Sequence, residues 1–183
     1  MPRGLNERSV RMKTASIKTA MALAVSLGIV SALAADISAS AHEEPTMTMK
    51  AKGPFDVKLA PQALAIEDKV EGAAMARLSI DKQFHGDLEA SSKGEMLSAA
   101  GSVKGSAGYV AIEKVSGTLG GRKGTFVLQH NATMTRGTPY LNIIVVPDSG
   151  TGELAGLTGT MKIDIAPGGA HSYELDYAFG DAP

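Results

Sequence analysis

From Ala76 onward, apolar side chains recur at every second position, and that period constrains the fold more than any other feature. Ala76, Leu78, Ile80 and Phe84 fall on one parity; Arg77, Ser79, Asp81, Gln83 and His85 fall on the other. Successive side chains of an extended strand point to opposite faces, so the first set lines the buried side of a sheet. Phe126, Leu128, His130, Ala132 and Met134 repeat the pattern. So do Tyr173, Leu175, Tyr177 and Phe179, set against Ser172, Glu174 and Asp176. Beyond the N-terminal segment no run of about ten residues keeps a 3.6-residue period, so no amphipathic helix is expected.

The other apolar runs are short and bounded by glycine or proline. Residues 55–59 alternate and make a first strand; residues 62–70 fit either a strand or a loop, with Leu64 and Ile66 favouring a strand. Gly86 is expected to bend the strand ending near Phe84, so that Asp87, Leu88 and Glu89 continue it in altered register. Residues 94–99, 108–119, 140–146, 160–165 and 172–179 follow. Turns are expected at 101–105, 120–124, 137–139 and 167–169, where glycines supply positive φ without steric cost. This is an all-β chain of about eight strands at regular spacing. Closure into an antiparallel barrel, lipocalin-like in outline, removes the exposed edges of a long meander. Such a barrel has interior space for one small ligand.

The first 41 residues differ from the rest. Arg3, Arg8, Arg11, Lys13 and Lys18 precede the apolar run 19–33, and the small-residue sites Ala32-Leu33-Ala34 and Ala39-Ser40-Ala41 follow. A basic start, an apolar centre and a small-residue exit make a secretory signal peptide, cleaved after Ala34 or Ala41. Translation can start at Met1 or at Met12. Ser26 and Gly28 break the apolar run, so no stable membrane span is expected once the signal is removed. The organisation expected is a signal peptide over 1–41, a flexible arm over 42–53 and a barrel domain over 54–183, exported to the periplasm or beyond. The first 41 residues hold five basic and two acidic residues; the remaining 142 hold 13 basic and 17 acidic, a net charge of −4. That balance gives no electrostatic case for a nucleic-acid partner. The absence of cysteine excludes disulfides, thiolate nucleophiles and thiolate metal sites. An apolar content of 44% is ample for a core.

Three strings and the closing HSYELDY carry a family resemblance: SIDKQFHGDLEASSKGEML, GSAGYVAIEKVSGTLGGRKGTFVLQHNATM and VVPDSGTGELAGLTGTMKIDI. Together, over roughly residues 50–179, they resemble the small bacterial family catalogued as domain of unknown function 3224. The resemblance implies a fold similar to the allene oxide cyclase and dirigent barrels, and it implies no activity. The exported N-terminus departs from the family pattern and argues against a cytoplasmic role.

Motifs with chemistry are few. Gly150, Gly152 and Ala155 match G-x-G-x-x-A, but a β run follows in place of the helix that would meet a pyrophosphate, so no dinucleotide is expected. His42, His85, His130 and His171 form no H-x-H or H-E-x-x-H pair, and no metal site is expected from spacing. Cleavage after Ala41 would expose His42 as a copper(II) chelator near Met47 and Met49, but one residue type in an arm sets no geometry. No cofactor is expected. His130 shares the inward parity of Phe126, Leu128 and Met134, and is either a satisfied interior histidine or a cavity acid/base. Gln129 falls on the opposite face. Lys82 falls on the apolar parity; either its stem packs and its ammonium reaches the barrel end, which is the more common case, or it is an interior cation. Glu95 and Glu113 are expected on the solvated outer face.

The leading functional expectation is a binding module whose lumen takes a small, largely apolar molecule. Phe84, His85, Tyr109, Phe126, His130, Met134 and Tyr173 are its expected lining, and His130 is the one catalytic candidate. A cyclase or isomerase using the same cavity is the alternative, by analogy with allene oxide cyclase, where a barrel holds a reactive substrate in shape. A third possibility is a structural or oligomer-forming protein with a filled barrel. The sequence does not fix the oligomeric state.

Overall fold

A computed structural model of the chain describes residues 47–65 and 72–181. The expected signal peptide, the start of the arm and residues 66–70 of the expected second strand lie outside the described residues. Nine strands occur within them: β1 (Met49–Gln62), β2 (Ala73–Phe84), β3 (Leu88–Gly101), β4 (Ala107–Leu119), β5 (Arg122–Thr135), β6 (Thr138–Val145), β7 (Thr151–Gly152), β8 (Leu157–Ile165) and β9 (His171–Phe179). No helix occurs among the described residues.

The eight long strands close on themselves. The order runs β4-β3-β2-β1-β9-β8-β6-β5, and β4 also pairs with β5; every pairing is antiparallel. The two-residue β7 pairs with the start of β5 outside this ring. The result is the expected all-β closed antiparallel barrel of eight strands, with every long edge hydrogen-bonded to a neighbour.

Three local expectations are corrected. β1 begins at Met49, so residues 49–53 are strand and not arm. They pair with β9 from Met49↔Tyr177 to Gly53↔Tyr173. The lysines at 50 and 52 and Pro54 gave this stretch a loop-like composition. Yet Ala51 and Phe55 are buried on one parity while Lys50 and Lys52 are exposed on the other. Pro54, with no N–H to donate, keeps its place in the strand because its carbonyl accepts from His85 N at 3.0 Å. Second, Gly86 does not bend one strand but reverses the chain. It takes φ +92°, its N–H donates to Glu89 Oε1 at 2.8 Å, and β3 starts at Leu88. Residues 94–99, expected as a separate strand, are therefore the second half of β3. Third, Gln62 ends β1, and residues 63–65 are not strand.

The interior is unequal along its axis. At one end Phe84, Leu88, Leu119, Phe126, Leu157 and Leu175 are almost wholly excluded from solvent, and Leu154 from the β7–β8 connection covers them. Each such side chain contributes roughly 1.5–3 kcal/mol on burial. At the other end the inward parity is only partly covered: Leu59, Met134 and Leu141 keep 47%, 42% and 38% of their surface. One end of the barrel is plugged, and at the other the apolar side chains of the inward parity are left partly exposed.

Candidate functional site

Between plug and mouth the inward parity carries three ionisable side chains and one hydroxyl. Lys82 on β2, Ser92 on β3, Glu113 on β4 and His130 on β5 are all buried. The register brings them together: Lys82 pairs with Ser92, and Glu113 lies between Gly94 and Leu128, one step from His130. Lys82 Nζ donates to Glu113 Oε2 at 2.7 Å, and Ser92 Oγ donates to Glu113 Oε1 at 2.5 Å. The ammonium also lies 5.2 Å from the ring centre of Phe55 and 5.6 Å from that of Phe84, within range of a cation–π attraction.

One expectation is settled here and one is overturned. Lys82 takes the less common of its two expected placements: its ammonium does not reach the barrel end but is an interior cation held by Glu113. Glu113 is not a solvated outer residue, because it shares the parity of Ala111, Val115 and Leu119 and is wholly buried. That parity was readable in residues 108–119, but the general preference of glutamate for the surface outweighed it. Glu95 does lie on the outside, where its carboxylate takes Arg77 Nε at 2.8 Å and Arg77 Nη2 at 2.5 Å.

The electrostatics of the group centre on Glu113. Burial alone pushes its carboxyl up. The contact with His130, the field and hydrogen bond of Lys82 and the hydroxyl of Ser92 outweigh that effect and hold it down to about 2. The carboxylate is thus ionised at neutral pH and committed to two donors. His130 Nε2 lies 3.1 Å from Glu113 Oε2 but off the line of a hydrogen bond, so this nitrogen is buried without a hydrogen-bond partner. Tyr109, toward the mouth, sits with its ring 6.4 Å from the imidazole. Burial and the nearby Glu113 charge both raise its pKa, so its phenol remains a donor at neutral pH.

The expected lining residues do not form one cluster. His130, Tyr109 and Met134 lie toward the less covered end of the barrel, with His130 buried and Met134 exposed. Phe84, Phe126 and Tyr173 belong to the plug, where Phe84 and Tyr173 meet edge to face at 5.4 Å. Tyr173 Oη ties the β2–β3 turn to the plug, accepting from Leu88 N at 2.8 Å and donating to His85 O at 3.1 Å. His85 lies on the outside, with its ring nitrogens 3.8 Å from Asp56 Oδ2 and 3.6 Å from Glu89 Oε2. Sequence reasoning missed Lys82, Ser92 and Glu113 as members of the site. Among the described residues no three His, Asp or Glu side chains converge as a metal site.

Residues 51–177 match the family described as protein of unknown function (DUF3224). Among solved structures, the chain is similar to a protein with unknown function from that family from Shewanella oneidensis MR-1, determined at 1.84 Å resolution. The two are 52% identical with a TM-score of 0.70, and the match covers 74% of this chain and 100% of that one. No curated protein matches the chain.

Proposed function

Because the chain belongs to the family described as protein of unknown function (DUF3224), we propose its function from the site itself: a small, largely apolar molecule binds in the open half of the lumen and places one polar atom at His130. The observation that carries this reading is the buried His130 Nε2 without a hydrogen-bond partner, beside a fixed carboxylate and beneath an apolar mouth. The 3.1 Å approach to Glu113 is off the line of a hydrogen bond, and a ligand hydroxyl or carbonyl would supply the aligned partner that the carboxylate does not. Well-packed apolar residues in place of a buried ion pair are often as stable or more so, which favours a use for this one. Leu59, Met134 and Leu141 would meet the apolar body, and the Tyr109 phenol offers a second polar contact.

The test is native mass spectrometry of the protein purified from its own cells, followed by solvent extraction. A co-purified small molecule whose occupancy falls in His130→Ala and Leu141→Arg is expected. Bare protein that also takes up none of a series of medium-chain alkanols contradicts the reading.

Acid–base chemistry on the bound molecule is the second reading, favoured by the 3.1 Å approach of His130 to Glu113. In it Glu113, held ionised, orients the imidazole, and His130 moves the proton. Turnover that is abolished in His130→Gln while ligand uptake persists would select it over simple binding. A filled, purely structural barrel describes the plugged half but leaves the His130 nitrogen unexplained.

Export belongs to the same proposal. It rests on the basic start, apolar run and small-residue exits within residues 1–41. An intact mass beginning after Ala34 or Ala41 in the periplasmic fraction or medium is expected; an uncleaved chain in the cytoplasm contradicts it.

A further inference from the structure

A hollow also lies on the outer wall of the barrel. A groove of about 520 Å³ runs over β2–β5, with Ala111 and His130 under its floor and their side chains turned to the lumen side. Leu97, Val110 and Ile112 make the floor and keep 41%, 55% and 53% of their surface. They are contiguous across the sheet, since Leu97 pairs with Val110 and Ile112 pairs with Glu95. Leu64 and Ala65, just past β1, stand along one side. This side is tied down through Arg77 Nη1, which donates to Ala63 O at 3.3 Å.

We infer that this groove is a second binding site, for an uncharged, flat, apolar molecule that carries hydrogen-bond acceptors on one edge. The volume is within the range of small-molecule sites, about 300–1,000 Å³. Three large apolar side chains on an outer barrel wall are a poor arrangement for water alone. The charge lining the groove is balanced: Arg77 spends Nε and Nη2 on Glu95 and Nη1 on the main chain, so the lining itself favours an uncharged ligand. The amides of Gln129 and Asn131 line the groove two positions apart on β5, about 7 Å, and are exposed. They supply the donors for an acceptor-bearing edge. The bounded concavity favours a small molecule over a flat protein partner, and this site is independent of the lumen reading.

Nile red, neutral, flat and rich in acceptors, is the probe. Its emission is expected to rise saturably with the protein, and more than that of the anionic dye anilinonaphthalene sulfonate. Ile112→Lys and Val110→Glu are each expected to weaken Nile red at least about tenfold. Both positions are exposed, so the fold should survive, which circular dichroism checks. Leu141→Arg at the lumen mouth should leave the affinity within about twofold, which separates this site from the lumen. Unchanged binding in Ile112→Lys, loss of binding in Leu141→Arg, or preference for the anionic dye overturns the assignment. Self-association abolished by Ile112→Lys without any dye effect gives the face to a second copy of the chain and overturns it as well.

Discussion

Glu113 is buried with an ammonium on one oxygen and a hydroxyl on the other, and most of what is unusual in this interior follows from it. Removing Lys82 alone leaves an uncompensated carboxylate in an apolar barrel. Lys82→Met should therefore cost about 3–5 kcal/mol in denaturant unfolding. Lys82→Met combined with Glu113→Leu should cost less than Lys82→Met alone, because the pair leaves together. A double variant that is worse by the sum of both singles would show that the two groups do not interact. The pH dependence has a definite sign. The folded-state pKa of Glu113, about 2, lies below the ordinary glutamate value of 4.5. Its stabilisation is therefore complete above pH 4.5 and is lost as the pH falls toward 2, to the extent of about 3 kcal/mol. Urea midpoints should fall over that window, and Glu113→Gln should flatten the fall. At this scale the alternation placed His130 inward. Lys82 and Glu113 share that alternation, yet Glu113 was expected outside, because a charged residue on an apolar parity does not reveal its partner until the register is known.

The strands show how the register is held. Gly94 on β3 faces Glu113 on β4, and a Cβ there would come within 2.4 Å of Ile112 O and 2.9 Å of the Glu113 Cα. Glycine is required by this close approach of two backbones, not by its dihedral freedom. Gly94→Ala should push β4 away, costing about 1–3 kcal/mol and disturbing the Glu113 contacts. Its thermal midpoint should drop, and the acid-dependent part of its stability should shrink with it. An alanine variant with unchanged stability would contradict the spacing described here. Long, strictly alternating strands such as β2, β5 and β9 were legible in the sequence. The start of β1 was not, because its burial depends on pairing with β9, more than 120 residues later in the chain. The Gly86 reversal was misplaced for a related reason. Glycine at φ +92° suits a bulge or a turn, and the choice is made by Glu89 accepting the Gly86 N–H and by β3 pairing back on β2.

At the scale of the whole barrel, the alternation and the glycine punctuation together foretold closure, strand number and handling of the edges. They did not foretell that the interior would divide into a plug and a mouth. Phe84, Phe126 and Tyr173 share the inward parity of His130, yet the stagger of the strands sends them to the plugged end. The central claim is that the His130 nitrogen, which has no aligned hydrogen-bond partner, receives a polar atom of an apolar ligand. Imidazole ¹H–¹⁵N correlation spectra, recorded while 1-octanol, octanoic acid and a cyclic ketone are added in turn, test it most directly. The account predicts a saturable shift of the His130 nitrogens with at least one of them, lost in Leu141→Arg, while His85 and His171 stay in place. A His130 signal that none of the three moves, or that moves equally with those of His85 and His171, would contradict it.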